Sequence, residues 1–235
     1  MGCTYLQRIT YNMPLIEHII RLFAPHVCIG CGAEDDKLLC DGCTQSLPPV
    51  PSRCYRCKAV TDGYAVCGDC AERTSLRQVL VYTHHQGTAK ELLHRMKYER
   101  AQAGMAEAAA LMAGHLDCLP QDVVLTHVPT ATSRVRQRGY DHARLLARSL
   151  GHRSDTPYRT LLGRIGQAHQ VGSGRAERLR QLEGAFRPVH AADIRGRHVV
   201  LVDDVLTTGA TLETAARVLR RAGAARVSAI VFAQA

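Results

Sequence analysis

The stretch "VVLVDDVLTTGATL", Val199 to Leu212, sets two adjacent carboxylates at the end of an apolar run, followed by a threonine- and glycine-rich turn that contains no lysine. Four consecutive β-branched or leucine residues predict a strand buried on both faces. The spacing of apolar residues in "TLETAARVLRRAG" predicts a helix immediately after it. A strand over Val199 to Val202 would deliver Asp203 and Asp204 to the carboxyl edge of a sheet. Thr207, Thr208, Gly209, Ala210 and Thr211 would then lead into a helix whose first N–H groups have no partner in the helix and suit a phosphate. The two acids cannot share that phosphate; they suit neighbouring hydroxyls or Mg²⁺. The expected ligand therefore carries a phosphate close to a diol, as a 5-phosphoribosyl group does. A P-loop would need a lysine and an earlier glycine, and both are missing here. An ordinary threonine-capped turn leaves two acids at a sheet edge unexplained.

Outward from this stretch, strands and helices alternate. "LRQVLVYTHH" (76–85), "DVVLTHV" (122–128), "PYRTLLGRI" (157–165), "RHVVLVDDV" (197–205) and "ARVSAIVFA" (225–233) read as strands. The segment 87–116 reads as helical throughout, and "RGYDHARLLARSLG" (138–151) as a helix stopped by Gly151. Gly223 reads as the C-cap of the helix that follows the acids. Such alternation predicts an α/β fold with a mostly parallel sheet and ligands at the carboxyl ends of its strands.

The front of the chain is built differently. Eight of ten cysteines form four C-x-x-C pairs, Cys28/Cys31, Cys40/Cys43, Cys54/Cys57 and Cys67/Cys70, with gaps of 8, 10 and 9 residues between pairs. Each such turn aims two sulfurs at one point, and two turns complete the tetrahedral set that Zn²⁺ favours. Without a secretion signal the expected compartment is the reducing cytoplasm, where disulfides are disfavoured. An iron–sulfur cluster uses the same ligands and is the rival metal. Sequential pairing gives one ion to Cys28, Cys31, Cys40 and Cys43 and the other to Cys54, Cys57, Cys67 and Cys70; a cross-braced arrangement is the alternative. With all four ligands supplied by protein, both ions would be structural. Cys3 and Cys118 receive no role.

Charge divides along the same boundary. Residues 1–75 hold 7 basic and 8 acidic side chains, and residues 76–235 hold 23 and 13. Within 130–182 there are 11 arginines against 3 acids, a patch suited to a polyanion. At 235 residues and 46% hydrophobic, the chain can bury a sizeable core beside a small module. No apolar run reaches membrane-spanning length, since "LIEHIIRLF" is broken by Glu17, His18 and Arg21. The expected organisation is an amphipathic lead-in over 1–24, a double zinc ribbon over 25–75 and the α/β domain over 76–235.

"VVLVDDVLTTGAT" resembles the phosphoribosyl pyrophosphate (PRPP) motif of type I phosphoribosyltransferases. With the cysteine pairs, and with "LLHRMKY" (92–98), "VPTATSRVRQRGYDHARLLA" (128–147) and "GRIGQAHQVGSGRAERLRQLEGAF" (163–186), the chain is similar to the competence protein F (ComF) family from about residue 14 onward. That resemblance implies PRPP bound with Mg²⁺: Asp203 and Asp204 on the ribose, residues 207–211 on the 5-phosphate, and Pro129, Thr130 and the loop to Arg134 on pyrophosphate. Lys97, Arg134 and Arg138 are further pyrophosphate candidates, and Arg164 to Leu182 fits a loop that closes over substrate. Two departures stand out. "GYDH" places Asp141 and His142 where the family commonly has Asn and Gln, and Thr207 stands where purine-salvage relatives often have Asp, which disfavours a purine acceptor. The resemblance also implies an alternative, non-catalytic role in DNA uptake, with single-stranded DNA on the 130–182 arginines and an uptake helicase as partner. Only Tyr140 and Tyr158 are available there for base stacking.

Overall fold

The computed structural model describes residues 26–98, 101–165 and 184–235. The 1–24 lead-in and most of the proposed closing loop, including Arg175, Arg178 and Arg180, lie outside these residues.

The α/β part is a four-stranded sheet in the order β3-β8-β7-β4, formed by β3 (Val79–His84), β8 (Arg226–Gln234), β7 (His198–Leu206) and β4 (Val123–His127). Every pairing in it is parallel. Alternation along β7 separates two cores. Val200 and Val202 face one, with Leu92, Leu93 and Met96 of α3 (Gly87–Tyr98), Met105, Ala108 and Met112 of α4 (Ala101–Ala113), and Leu146 and Leu150 of α6 (His142–Arg153). Val199 and Leu201 face the other, with Leu212, Ala215, Ala216 and Leu219 of α7 (Ala210–Arg221). A strand with no solvent face has to be apolar at every position, which accounts for the run before Asp203.

Strand β3 is an edge, and the cysteine-rich module covers it. Between the two ribbons the chain runs along this edge, where Thr83 donates its hydroxyl to the Pro48 carbonyl at 2.8 Å and forms a bridge with Pro49. Ala65 makes a second bridge with Gln78. Covering an edge satisfies its backbone groups and blocks pairing with other chains. The ribbons straddle the sheet: Cys28, Leu39 and Leu47 belong to the core under α3, α4 and α6, and Val50 and Tyr55 to the core under α7. The first ribbon carries the two-residue strands β1 (His26–Val27) and β2 (Glu34–Asp35) and the short helix α1 (Asp41–Gln45). The second carries α2 (Gly68–Ala71).

Five expectations need correction. The helical segment 87–116 is two helices, α3 and α4, followed by a 3₁₀ turn at Gly114–Cys118. Helix α6 runs through Gly151 to Arg153 and is capped by Ser154. Gly151 is required by packing instead: a Cβ there would lie 2.8 Å from the Thr156 carbonyl oxygen and 3.3 Å from the Tyr158 Cβ. In "PYRTLLGRI" only β5 (Leu162–Arg164) is a strand, and it pairs antiparallel with β6 (Phe186–Pro188), apart from the main sheet. The acid-bearing strand extends to Leu206, so Asp203 and Asp204 lie within β7. Strand β4 accompanies β7 only as far as His127, opposite Val202, so the acids lie beyond the end of that neighbour; Asp203 keeps some exposed surface and Asp204 is buried. Helix α7 ends with Ala222 as its cap and Gly223 one residue beyond, at φ +99°.

Candidate functional site

After Leu206 the chain turns into α7 through Thr207, Thr208 and Gly209, with Thr207 and Thr208 exposed. Gly209 occupies the N-cap at φ +77°, a conformation L side chains resist, and its carbonyl accepts the first helical bond from Glu213 N at 2.9 Å. A Cβ there would also lie 2.9 Å from Cε2 of Tyr55. The tyrosine belongs to the second ribbon, so the zinc module packs directly against this turn. Glu213, in the first turn of α7, fastens that contact. It accepts hydrogen bonds from the Tyr55 hydroxyl at 2.9 Å, from the Thr74 hydroxyl, and from Ser75 N at 2.8 Å.

The two acids occupy different environments. Asp204 is buried, and its Oδ2 takes an ion pair from Lys97 Nζ at the end of α3 and lies 3.4 Å from His142 Nε2. Burial alone would raise its pKa. The hydrogen bond from His142 and the charge of Lys97 outweigh that and hold the carboxyl far below the ordinary range. Asp203 retains some exposed surface, yet its carboxyl is pushed well above the ordinary value, first by burial and then by the charge of Asp204. The pair is therefore asymmetric: Asp204 faces Lys97 and His142, and its charge is what opposes ionisation of Asp203. The oxygens of Asp203 and Asp204 and a nitrogen of His142 lie within 4.8 Å of one another. Hard carboxylate oxygens suit Mg²⁺, but Lys97 already neutralises Asp204, so a cation arriving with a phosphorylated ligand would find Asp203 and the ligand's own oxygens.

A chain of contacts supports this arrangement. His142 Nδ1 lies 3.3 Å from a guanidinium nitrogen of Arg138, which can only donate; Nε2 is thereby left to donate to Asp204. Arg138 also donates to the Tyr98 hydroxyl at 3.2 Å. Tyr140 donates to the carbonyls of Met96 and Lys97 at 2.9 and 2.8 Å, fixing the backbone that carries the lysine. Asp141 caps α6 through Arg144 N at 3.2 Å and accepts from the backbone and the hydroxyl of Thr130 at 3.0 and 2.8 Å. Asp141 and His142, marked in the sequence only as departures, thus tie the 129–131 loop and Asp204 to one helix start. Of the other expected residues, Pro129 accepts from Arg164 at 3.0 Å, and Arg134 stands exposed on α5 (Thr132–Arg138). The contribution of Tyr55 and Glu213 left no local signal, because the partners are 158 residues apart.

The cysteines converge in sequential order: Cys28, Cys31, Cys40 and Cys43 form one group and Cys54, Cys57, Cys67 and Cys70 the other, each within 4.8 Å. The Cys31–Cys40 and Cys57–Cys67 sulfur separations, 3.7 and 3.5 Å, approach the roughly 3.8 Å edge of a ZnS₄ tetrahedron with 2.3 Å bonds. Burial opposes ionisation of Cys28 and Cys54, yet backbone N–H groups bring both down to about 6, toward the thiolate a metal needs.

Sheet, turn and Cys₄ groups define a class: a double zinc ribbon joined to a domain of the type I phosphoribosyltransferase kind. The double zinc ribbon domain family matches residues 19–71, and the phosphoribosyl transferase domain family matches residues 136–235. Competence protein ComFC of Bacillus subtilis strain 168 is 31% identical over 212 residues, covering 85% of this chain and 85% of the relative. Competence protein F of Haemophilus influenzae is 29% identical over 196 residues, covering 79% and 85%. The DNA utilization protein YhgH of Escherichia coli K12 is 29% identical over 205 residues, covering 80% and 87%. The chain belongs to the ComF family. Among the described residues, no helix is long and apolar enough to cross a membrane.

Proposed function

We propose that the chain binds PRPP or a related phosphoribosyl ligand at the carboxyl end of β7. The observation that carries this reading is the pairing of two adjacent carboxylates near the end of β7, Asp203 and Asp204, with a left-handed Gly209 opening α7. The 5-phosphate would lie on the free N–H groups and hydroxyls of Thr207 to Thr211. The ribose hydroxyls would meet Asp203 and Asp204. Pyrophosphate would lie toward Pro129, Thr130 and Arg134. A ligand of such charge competes for Lys97 and Arg138, and drawing Lys97 from Asp204 frees that carboxylate for the sugar. When bound, Mg²⁺ supplies charge neutralisation on the pyrophosphate. In transfer to an acceptor, these cations would stabilise departing pyrophosphate while the acids favour the positive charge growing at the sugar carbon. Thr207, in place of an acid, argues against a purine acceptor.

The reading is tested by calorimetric titration of zinc-loaded protein with ribose 5-phosphate, and with PRPP in Mg²⁺. Saturable binding that is lost in the Asp203→Asn/Asp204→Asn variant is expected; absence of binding to wild type at millimolar ligand overturns it. Pyrophosphate release from PRPP then reports turnover.

A second reading is supported by the names of the relatives and by the exposed Arg134 and Arg136. These arginines would track a single-stranded DNA backbone, with an uptake helicase as partner and a cytoplasmic location. Neutralising them should lower the salt slope of binding by about 0.7 per lost contact. Unchanged slope and affinity would remove this reading.

A further inference from the structure

A cavity of about 300 Å³ lies where the second ribbon meets β3 and β8, outside the diacid site. Its apolar wall is formed by Val79 and Val81 of β3, and its aromatic wall by Tyr55 and Tyr64. The same Tyr55 ring backs onto Gly209, so one side chain separates this cavity from the phosphate turn. At the mouth stand two exposed cations, Arg53 and Lys58. The lining contains no carboxylate, and among the described residues none pairs with either cation.

The backbone beneath Lys58 gives this arrangement its meaning, and an internal comparison exposes it. In the first ribbon the residue after the second cysteine is Gly32, at φ +76°; its N–H donates to Cys28 O at 2.9 Å, and Cys28 N donates to Ala33 O at 2.7 Å. In the second ribbon the equivalent residue is Lys58, at φ +66°; its N–H donates to Cys54 O at 2.9 Å, and Cys54 N donates to Ala59 O at 2.8 Å. The two knuckles are built alike, and glycine is the residue this turn favours. The second ribbon instead holds a lysine in the left-handed region, and Arg53 donates to that lysine's carbonyl at 3.3 Å. Tyr64 is also left-handed, at φ +60°, and two of the four such non-glycine residues among those described line this one cavity. Backbone strain of this kind collects where a side chain serves a ligand.

We infer that this cavity is a binding site for a small, flat organic anion, with its ring against Val79, Val81 and the tyrosines and its carboxylate, sulfonate or phosphate on Lys58 and Arg53. Its volume is at the lower end for small-molecule pockets and fits one or two fused rings. The inference does not rest on the PRPP reading.

The test uses the full zinc-loaded chain titrated calorimetrically with 2-naphthoate, with its uncharged analogue 2-naphthamide, and with 2-naphthoate again under saturating ribose 5-phosphate. One equivalent of naphthoate should bind, with the amide at least tenfold weaker and the sugar phosphate leaving the stoichiometry unchanged. Lys58→Gly should weaken naphthoate about fivefold and the Arg53→Gln/Lys58→Gly variant tenfold or more. Zinc content should stay at wild-type level, and the melting temperature of Lys58→Gly should hold or rise because the strain is gone. A purely structural lysine would not separate affinity from stability in this way. No binding to wild type, equal binding of acid and amide, displacement by ribose 5-phosphate, or affinity lost only together with zinc would each overturn the inference.

Discussion

Gly209 concentrates two demands on one residue, a positive φ and the absence of a Cβ against Tyr55. Gly209→Ala should therefore destabilise the chain by at least the roughly 1–2 kcal/mol of a left-handed alanine, measured by urea unfolding. It should also weaken ribose 5-phosphate by more than tenfold, because the turn must open to admit the methyl group. The contact with Tyr55 means that the larger Gly209→Val change would reach the zinc module as well. If Gly209→Ala leaves both stability and affinity intact, the turn does not have the geometry described. Lys97 poses a different problem at the same scale. Lys97→Met leaves Asp204 buried with only His142 for support, so its carboxyl should rise toward the ordinary range; the variant should be less stable than wild type at neutral pH, and the gap should narrow as pH falls below the usual carboxylate range, where wild type alone loses the contribution of its depressed carboxyl. Parallel stability–pH curves for the two proteins would refute that assignment.

At the scale of elements, the join between the second ribbon and α7 is carried by Glu213, which accepts from Tyr55, Thr74 and Ser75. Glu213→Gln weakens these bonds and forces one donor to face another, at a cost of about 1–3 kcal/mol. A loss in that range, with weaker ribose 5-phosphate binding, is expected from denaturation and calorimetry; a change in neither would show that the join is incidental. Helix α4 faces the first ribbon with a less favourable group. Burial pushes Glu107 from the ordinary 4.5 to about 7, with Lys37 opposing the shift and Asp35, Asp36 and Asp41 reinforcing it. Between these two values the folded chain binds the proton more tightly than the unfolded chain, so stability falls as pH rises from about 4.5 to about 7. Glu107→Gln should remove that fall, with a ceiling of about 3.5 kcal/mol at about 1.4 kcal/mol per unit. Unfolding free energies at pH 5 and pH 8 decide the point.

The whole molecule depends on metal more than a detachable ribbon would. Cys28, Leu39 and Leu47 share a core with α3, α4 and α6, and Val50 and Tyr55 share one with α7, so releasing zinc would unseat both faces of the sheet along its edge strand. Elemental analysis should find two zinc ions per chain, and chelation should lower the unfolding midpoint of the entire chain. Cys67→Ser should weaken ribose 5-phosphate binding more than Cys40→Ser, because the second ribbon packs on the Gly209 turn through Tyr55. Two separate transitions, with the α/β part unchanged by chelation, would contradict this coupling.

Local spacing in the sequence was enough to mark the four C-x-x-C pairs, the buried strand ahead of Asp203 and the turn into α7, while the choice of sequential over cross-braced grouping came from the fold. Each depends on residues a few positions apart, whose geometry is set by the backbone itself. The 157–165 segment and Gly151 were less legible. A short apolar run suits either a sheet strand or a side hairpin, and a glycine near a helix end serves equally as a stop or as room for a neighbour; only Thr156 and Tyr158 packed against it distinguish the two. The tertiary structure alone decided that Lys97 and His142 meet at Asp204, that the two neighbouring carboxyls are shifted in opposite directions, and that Tyr55 of a zinc ribbon closes against Gly209. Those contacts join residues tens to more than a hundred positions apart. Their energies come from burial and from charges brought together in a low-dielectric interior, and no local pattern encodes either.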